Sequence, residues 1–159
     1  MEFKEIISQV TKVYKDRSED LERKKQLWIQ EVNKLYDEIG NWLDEYIQSG
    51  DIIVDFDRLK FAECEEFMMN ISMMYLFFGS TEGPSVIFEP TGINVVGAFG
   101  KIDLYFRGHK EDSVFLLLTE NKSHWEIWKS RKQEENIKKL TKESFEELIG
   151  EWLKRWTDI

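Results

Sequence analysis

Glycines, histidines and a cysteine are the residues of this chain whose chemistry is easiest to test by spacing. Gly92-x-x-x-x-Gly97 has the interval that opens a phosphate-binding loop. Such a loop needs Lys and Ser/Thr next, to touch phosphate and metal, but Ala98 and Phe99 stand there. No helix pattern follows to offer an N-terminus to an anion. Glycines at such places more often mark bulges or close backbone contacts, and Gly92, Gly97 and Gly100 are read that way. His109 lies in a turn and His124 at a strand start, neither with a second ligand at metal spacing. Cys64 sits in AECEE, where carboxylates would raise a thiol pKa rather than activate it. A single cysteine also leaves no internal disulfide and no cysteine-rich zinc site.

Acidic spacing offers more. Gly100-Lys-Ile-Asp103-Leu-Tyr-Phe is followed, after a turn and the run SVFLLL, by Glu120-Asn-Lys122. These twenty-odd residues resemble the core of the PD-(D/E)xK nuclease superfamily. The resemblance implies Asp103 and Glu120 as ligands of Mg or Mn, with Lys122 orienting the attacking water, and Glu38 or Glu45 completing the site. The chain departs from that pattern at Ile102, at Asn121 and in lacking a clear helix after the ExK run. TENKS also reads as a plain polar turn. If Phe106 pairs near Val114, Asp103 moves towards Leu117 and Glu120 runs past the facing strand. That register leaves no catalytic set, no metal site and no cofactor, and it is the one expected here.

Whatever those residues do, a long helical segment must help to position them. At 100° per residue, Phe3, Val10, Leu21, Trp28, Val32, Ile39 and Tyr46 fall within about 40° of one another. Ile6, Ile7, Tyr14, Leu35, Trp42 and Leu43 widen that stripe to only about 100°. Residues 2–48 are therefore helical. One unbroken helix would be about 70 Å long, against a radius of gyration of about 15 Å for a domain of this size. Asp16, Ser18 and Asp20 are plausible caps, so two helices, 2–15 and 19–48, are expected, with Ser49-Gly50 as the stop. Trp28, Leu35 and Trp42 are expected against the sheet.

Alternation then marks strands at 52–57, 67–78, 85–89, 93–99, 101–106, 113–118 and 124–128, with turns at TEGP, PTG and RGHKED. The methionines of FMMNISMMYLFF read as core at strand spacing. Short strands with tight turns make an antiparallel meander of about six strands. RKQEENIKK is read as a solvated connector. A final helix over 141–157 begins at the N-cap Thr141, with Leu140 and Phe145 as a hydrophobic staple. The fold class is α+β, with one domain over 1–159: helical 2–48, sheet 51–130, C-terminal helix 141–157. WLDEYIQSGDI, EPTGINVVGAFGKIDLYF and LTKESFEELIGEWL together resemble a pattern of bacterial and phage hypothetical proteins. That implies a bacterial or phage origin and supplies no activity.

Composition narrows the function. Large apolar residues make up enough of the chain, 42% hydrophobic with 14% aromatic, to exclude disorder. A net charge of −9 disfavours nucleic acid, whose binding is largely neutralisation of phosphates by Lys and Arg. The longest greasy run, Phe67 to Phe78, is broken by Asn70 and Ser72 and is too short to span a bilayer. A cytoplasmic, non-enzymatic macromolecule-binding protein is expected, with an immunity-like, anti-defence or accessory role. The partner would be a basic protein steered by Asp16, Glu19, Asp20, Glu22, Asp37, Glu38, Asp44 and Glu45. A small-ligand pocket between helix and sheet is a further reading. The apolar stripe is longer than a sheet of short strands can cover, so a homodimer is expected as well.

Overall fold

The structure is a computed structural model that describes residues 2–64, 67–93, 98–129 and 137–158. Its fold is α+β: α1 (Phe3–Trp42), α2 (Asp44–Ser49), an antiparallel sheet, then α3 (Lys142–Thr157). The strands are β1 (Ile52–Cys64), β2 (Phe67–Phe78), β3 (Ser85–Ile93), β4 (Gly100–Phe106), β5 (Val114–Leu118), β6 (Trp125–Trp128) and β7 (Ile137–Lys139). They lie side by side in chain order, a pure meander.

The expected break near residue 18 does not occur. With no Gly or Pro before Gly40, nothing forces one, and ion pairs Arg23–Asp20 and Lys25–Glu22 knit the polar stretch together along the helix. Of the side chains expected to cap a second helix, Asp20 is engaged by Arg23 along the helix instead. Helix continuity is instead interrupted at Leu43, and Gly50 ends α2 in the left-handed conformation, φ 85°.

Three expectations about the sheet change. Seven strands are described rather than about six, because the end of the stretch read as a connector pairs as β7 with β6, Trp128 facing Ile137. β1 runs to Cys64, well past residue 57, because β2 offers partners along its whole length. PTG is part of β3, not a turn; the chain bulges between Pro90 and Gly92, which absorbs the proline's missing donor. The expected strand at 93–99 falls largely outside the described residues, at 94–97. So do residues 130–136 of the connector, the Gly97 position and the side chains of 58–70, including Met68 and Met69. Of the remaining methionines, Met74 is fully buried and Met73 half-buried.

One contiguous core joins the sheet's inner face to both long helices. α1 contributes Trp28, Val32, Leu35, Tyr36 and Ile39 to it. Trp42 is only half-buried and packs at a 45° tilt against Phe145 of α3, ring centroids 5.9 Å apart. α3 opens with a reciprocal capping box in which the Ser144 amide donates to Thr141 Oγ1 (3.1 Å) and the Thr141 amide to Ser144 Oγ (2.8 Å). Its Phe145, Leu148, Ile149 and Trp152 complete the core. Among the described residues no helix is long and apolar enough to cross a membrane.

Candidate functional site

The register decides where the sequence candidates meet. β4 pairs with β5 so that Leu104 faces Val114 and Asp103 faces Phe115. This is a two-residue shift from the expected pairing of Phe106 near Val114, because the connection includes a 3-10 turn at Lys110–Asp112 that keeps Tyr105 and Phe106 off β5. Asp103 therefore lies opposite Phe115, not Leu117. Glu120 stands two residues past Leu118, the end of β5, exposed in a turn. That turn is the polar hairpin turn read from TENKS. The Lys122 amide donates to the Thr119 carbonyl (2.8 Å), and the Ser123 amide donates to Asn121 Oδ1 (3.1 Å). Lys122 takes the left-handed conformation, φ 58°, with its ammonium 4.9 Å from the Phe99 ring. Asp103 and Glu120 are thus separated by several rungs of the ladder.

Asp103 has other company. Core residues of β3 to β6 alternate with side chains on the face away from the helices, and Glu89, Lys101, Asp103, Tyr105, Phe115 and Glu126 belong to that outer face. Glu89 and Asp103 are directly opposed across β3 and β4, a placement that repels unless each charge is answered. Each is. Lys101 reaches Asp103 at 3.4 Å while lying over the Phe115 ring, and Thr91 donates to the same carboxylate at 3.3 Å. Lys110 reaches Glu89 at 3.1 Å, and the Tyr105 hydroxyl donates to that oxygen at 3.4 Å. The hydrogen bond to Glu89 raises the Lys110 pKa; burial, and then the Glu89 charge, raise that of Tyr105. The Glu89 half of this pair was not singled out in the sequence; the alternation of SVIFE with GKIDLYF was its only signal.

Two further clusters are formed. His109, Glu111 and Asp112 bring ligand atoms within 4.8 Å of one another, so His109 does have neighbours at metal spacing, although all three are exposed. The 3-10 turn gathers them, and sequence spacing alone did not suggest it. A cleft of about 340 Å³ lies between α1 and the β5–β6 turn, lined by Glu31, Lys34, Glu38, Lys122, His124 and Lys139 among others. No family model, characterised protein or solved structure matches this chain.

Among the described residues, a run of exposed apolar side chains lies on α1. Trp28 is fully buried against Phe99, Trp125 and the backbone of Gly100, at the end of the sheet. N-terminal to it the helix runs on for about 37 Å at ~1.5 Å per residue. Over its first turns the apolar stripe stays in phase with the core-facing one, yet Phe3, Ile6, Ile7, Val10, Val13 and Tyr14 are 41–76% exposed. Ser18, Leu21 and Lys25 are half-buried. The acidic side chains fall into two groups. Asp16, Glu19, Asp20 and Glu22 sit on this arm, while Asp37, Glu38, Asp44 and Glu45 lie on the body. From Glu22 to Asp37 is about 22 Å along the axis, with Arg23, Lys24 and Lys25 in between. All eight are exposed, and they do not form one continuous acidic patch.

Proposed function

We propose that the protein is a non-enzymatic binding protein of the cytoplasm that joins a protein partner through the α1 arm. The observation that carries this reading is the stripe of six large apolar side chains left open beyond the end of the sheet. An isolated helix of that length is marginal in water, and a contiguous exposed apolar surface on a folded protein is a common mark of an interface. The sheet body acts as the anchor: Trp28 clamps the base of the arm and sets its direction. Asp16, Glu19, Asp20 and Glu22 follow the stripe along the same arm and supply charge that would steer a basic partner, tempered by the adjacent Arg and Lys. An immunity-like, anti-defence or accessory role belongs to the same reading.

The test is a photoreactive side chain placed at Val10 in the full chain, with Asp37 on the body as control, irradiated in the producing cell. A discrete adduct at Val10, absent at Asp37 and lost on Ile7→Asp, supports the reading. Equal labelling at both positions, or none, removes it.

A second reading keeps Asp103 as the ligand of Mg or Mn but exchanges its partners, with Glu89 for Glu120 and Lys101 for Lys122. The directly opposed carboxylates favour it, since two acidic oxygens sharing a divalent ion is what metal-assisted hydrolysis requires. Calorimetric titration of Mn²⁺ into wild type and Asp103→Asn decides it: heat lost with Asp103 supports it, and no heat in either sinks it. A small ligand would instead take the cleft beside Glu38 and Lys122.

A further inference from the structure

We infer that the arm's occupant is a second copy of this chain, paired antiparallel over residues 3–14. The inference rests on the proposed use of the arm and names its partner. Pairing the stripe with itself in reverse sets Phe3 against the partner's Tyr14 and Ile7 against the partner's Val10. Ile6 then flanks the partner's Val13. All six exposed side chains fall into three reciprocal pairs. The spacing from Phe3 through Ile7 and Val10 to Tyr14 alternates four, three and four residues, the interval at which helices of a coiled coil interlock.

Orientation follows from where the sheet stands. The stripe of the arm and the residues that bind the sheet share one side of α1, because Phe3 and Ile39 differ by ten full turns at 100° per residue. A parallel partner laid on that stripe would carry its own residues 28–42 straight into the position this copy's sheet occupies. An antiparallel partner sets its Phe3 beside Tyr14, short of Ser18, where this copy's own half-buried residues begin, and carries its own sheet away from this one. Only the reversed arrangement covers the stripe without a collision.

The area is adequate. Exposures of 41–76% on six large side chains amount to roughly 600–700 Å² of apolar surface per copy, against the ~800 Å² per partner of a standard stable interface. The pairing is also self-complementary, as a two-fold dimer requires.

Full-length chain in a Cys64→Ser background carries either Ile7→Cys or Val10→Cys, and the two are oxidised alone and mixed. The mixture should give a disulfide-linked species of twice 19.1 kDa, at least about ten-fold more than either variant alone, because only the mixture places the thiols opposite each other. Cross-linking of each variant to itself, with no gain on mixing, would mean a parallel pair and overturn the inference. Sedimentation of unmodified chain at tens of micromolar gives an independent reading, with Ile7→Asp/Val10→Asp as the dissociated control. A 19.1 kDa mass for wild type also overturns it. Taken with the Val10 photo-adduct, that monomer separates the two claims. An adduct of some other mass leaves the arm a binding element for a different protein, and no adduct removes both.

Discussion

Gly100→Ala should destabilise the protein by about 2 kcal/mol, because the new methyl group has nowhere to go. A Cβ added at Gly100 would run into Trp28 Cζ3, with Cε3 at 2.6 Å and Cη2 at 2.7 Å. These are atoms of a rigid ring, not the loose end of a flexible chain. The indole cannot swing away, since it is fully buried with Phe99 6.2 Å and Trp125 5.7 Å away between centroids. Nor can the strand retreat freely, since Gly100 is paired with Ile93 on one side and Leu118 on the other. Overpacking of this kind costs about 1–3 kcal/mol, and a rigid ring held on two sides puts it near the top of that range. Loss of glycine's freedom in the unfolded chain offsets about 0.4–1 kcal/mol, which leaves about 2. Urea unfolding at constant m-value reads this directly, and Trp28→Leu in the same chain should restore most of the Gly100→Ala loss. A midpoint unchanged within about 0.5 kcal/mol would refute the close contact between Trp28 and β4, and with it the clamp at the base of the arm.

Trp42→Ala should cost about 2 kcal/mol, less than the ~3–5 expected for a fully buried tryptophan such as Trp28, because Trp42 is half-exposed against Phe145; denaturant midpoints of the two variants give the order. Tyr36→Phe should cost about 1 kcal/mol at neutral pH by removing the 2.7 Å hydrogen bond to the Ser72 carbonyl, again read by urea. Alkaline pH adds a second signature. Burial raises the Tyr36 and Tyr105 hydroxyls above their ordinary 10.0, and Glu89 raises Lys110, so the folded state holds these protons more tightly than the unfolded chain. Stability should be level below about pH 10 and fall as pH rises through that value, more gently in Tyr36→Phe; a loss that begins below pH 9 would point elsewhere.

Much of the fold could be read directly because periodicity reports burial. The phase of Phe3, Val10, Trp28 and Ile39 identified the core side of α1, and Thr141 with Leu140 and Phe145 located the start of α3 to the residue. What periodicity cannot weigh is competition between neighbours. Asp16, Ser18 and Asp20 looked like caps, but capping is the weaker option where no Gly or Pro breaks the helix and Arg23 and Lys25 are within reach along it. Pro90 and Gly92 looked like a turn because their bulge conformation has turn chemistry. The candidate site was harder to place, for register is set by turn geometry. A short 3-10 turn moved Asp103 by two residues, away from Leu117, while Glu120 lies beyond the strand as expected. Glu89 became the neighbour of Asp103 through β3–β4 pairing, which no local spacing encodes. The exposed arm was foreshadowed by a stripe longer than any small sheet could cover.

Backbone amide exchange over Phe3–Arg17 tests the role of the arm most directly, in the full chain at several concentrations and in Ile7→Asp/Val10→Asp. An arm that is stabilised by pairing should be protected at tens of micromolar and lose about ten-fold or more of that protection on dilution or in the variant, while α3 exchanges identically throughout. Protection of Phe3–Arg17 that is the same at every concentration and in the charged variant would mean the arm is stable alone, and would contradict its role as a docking element.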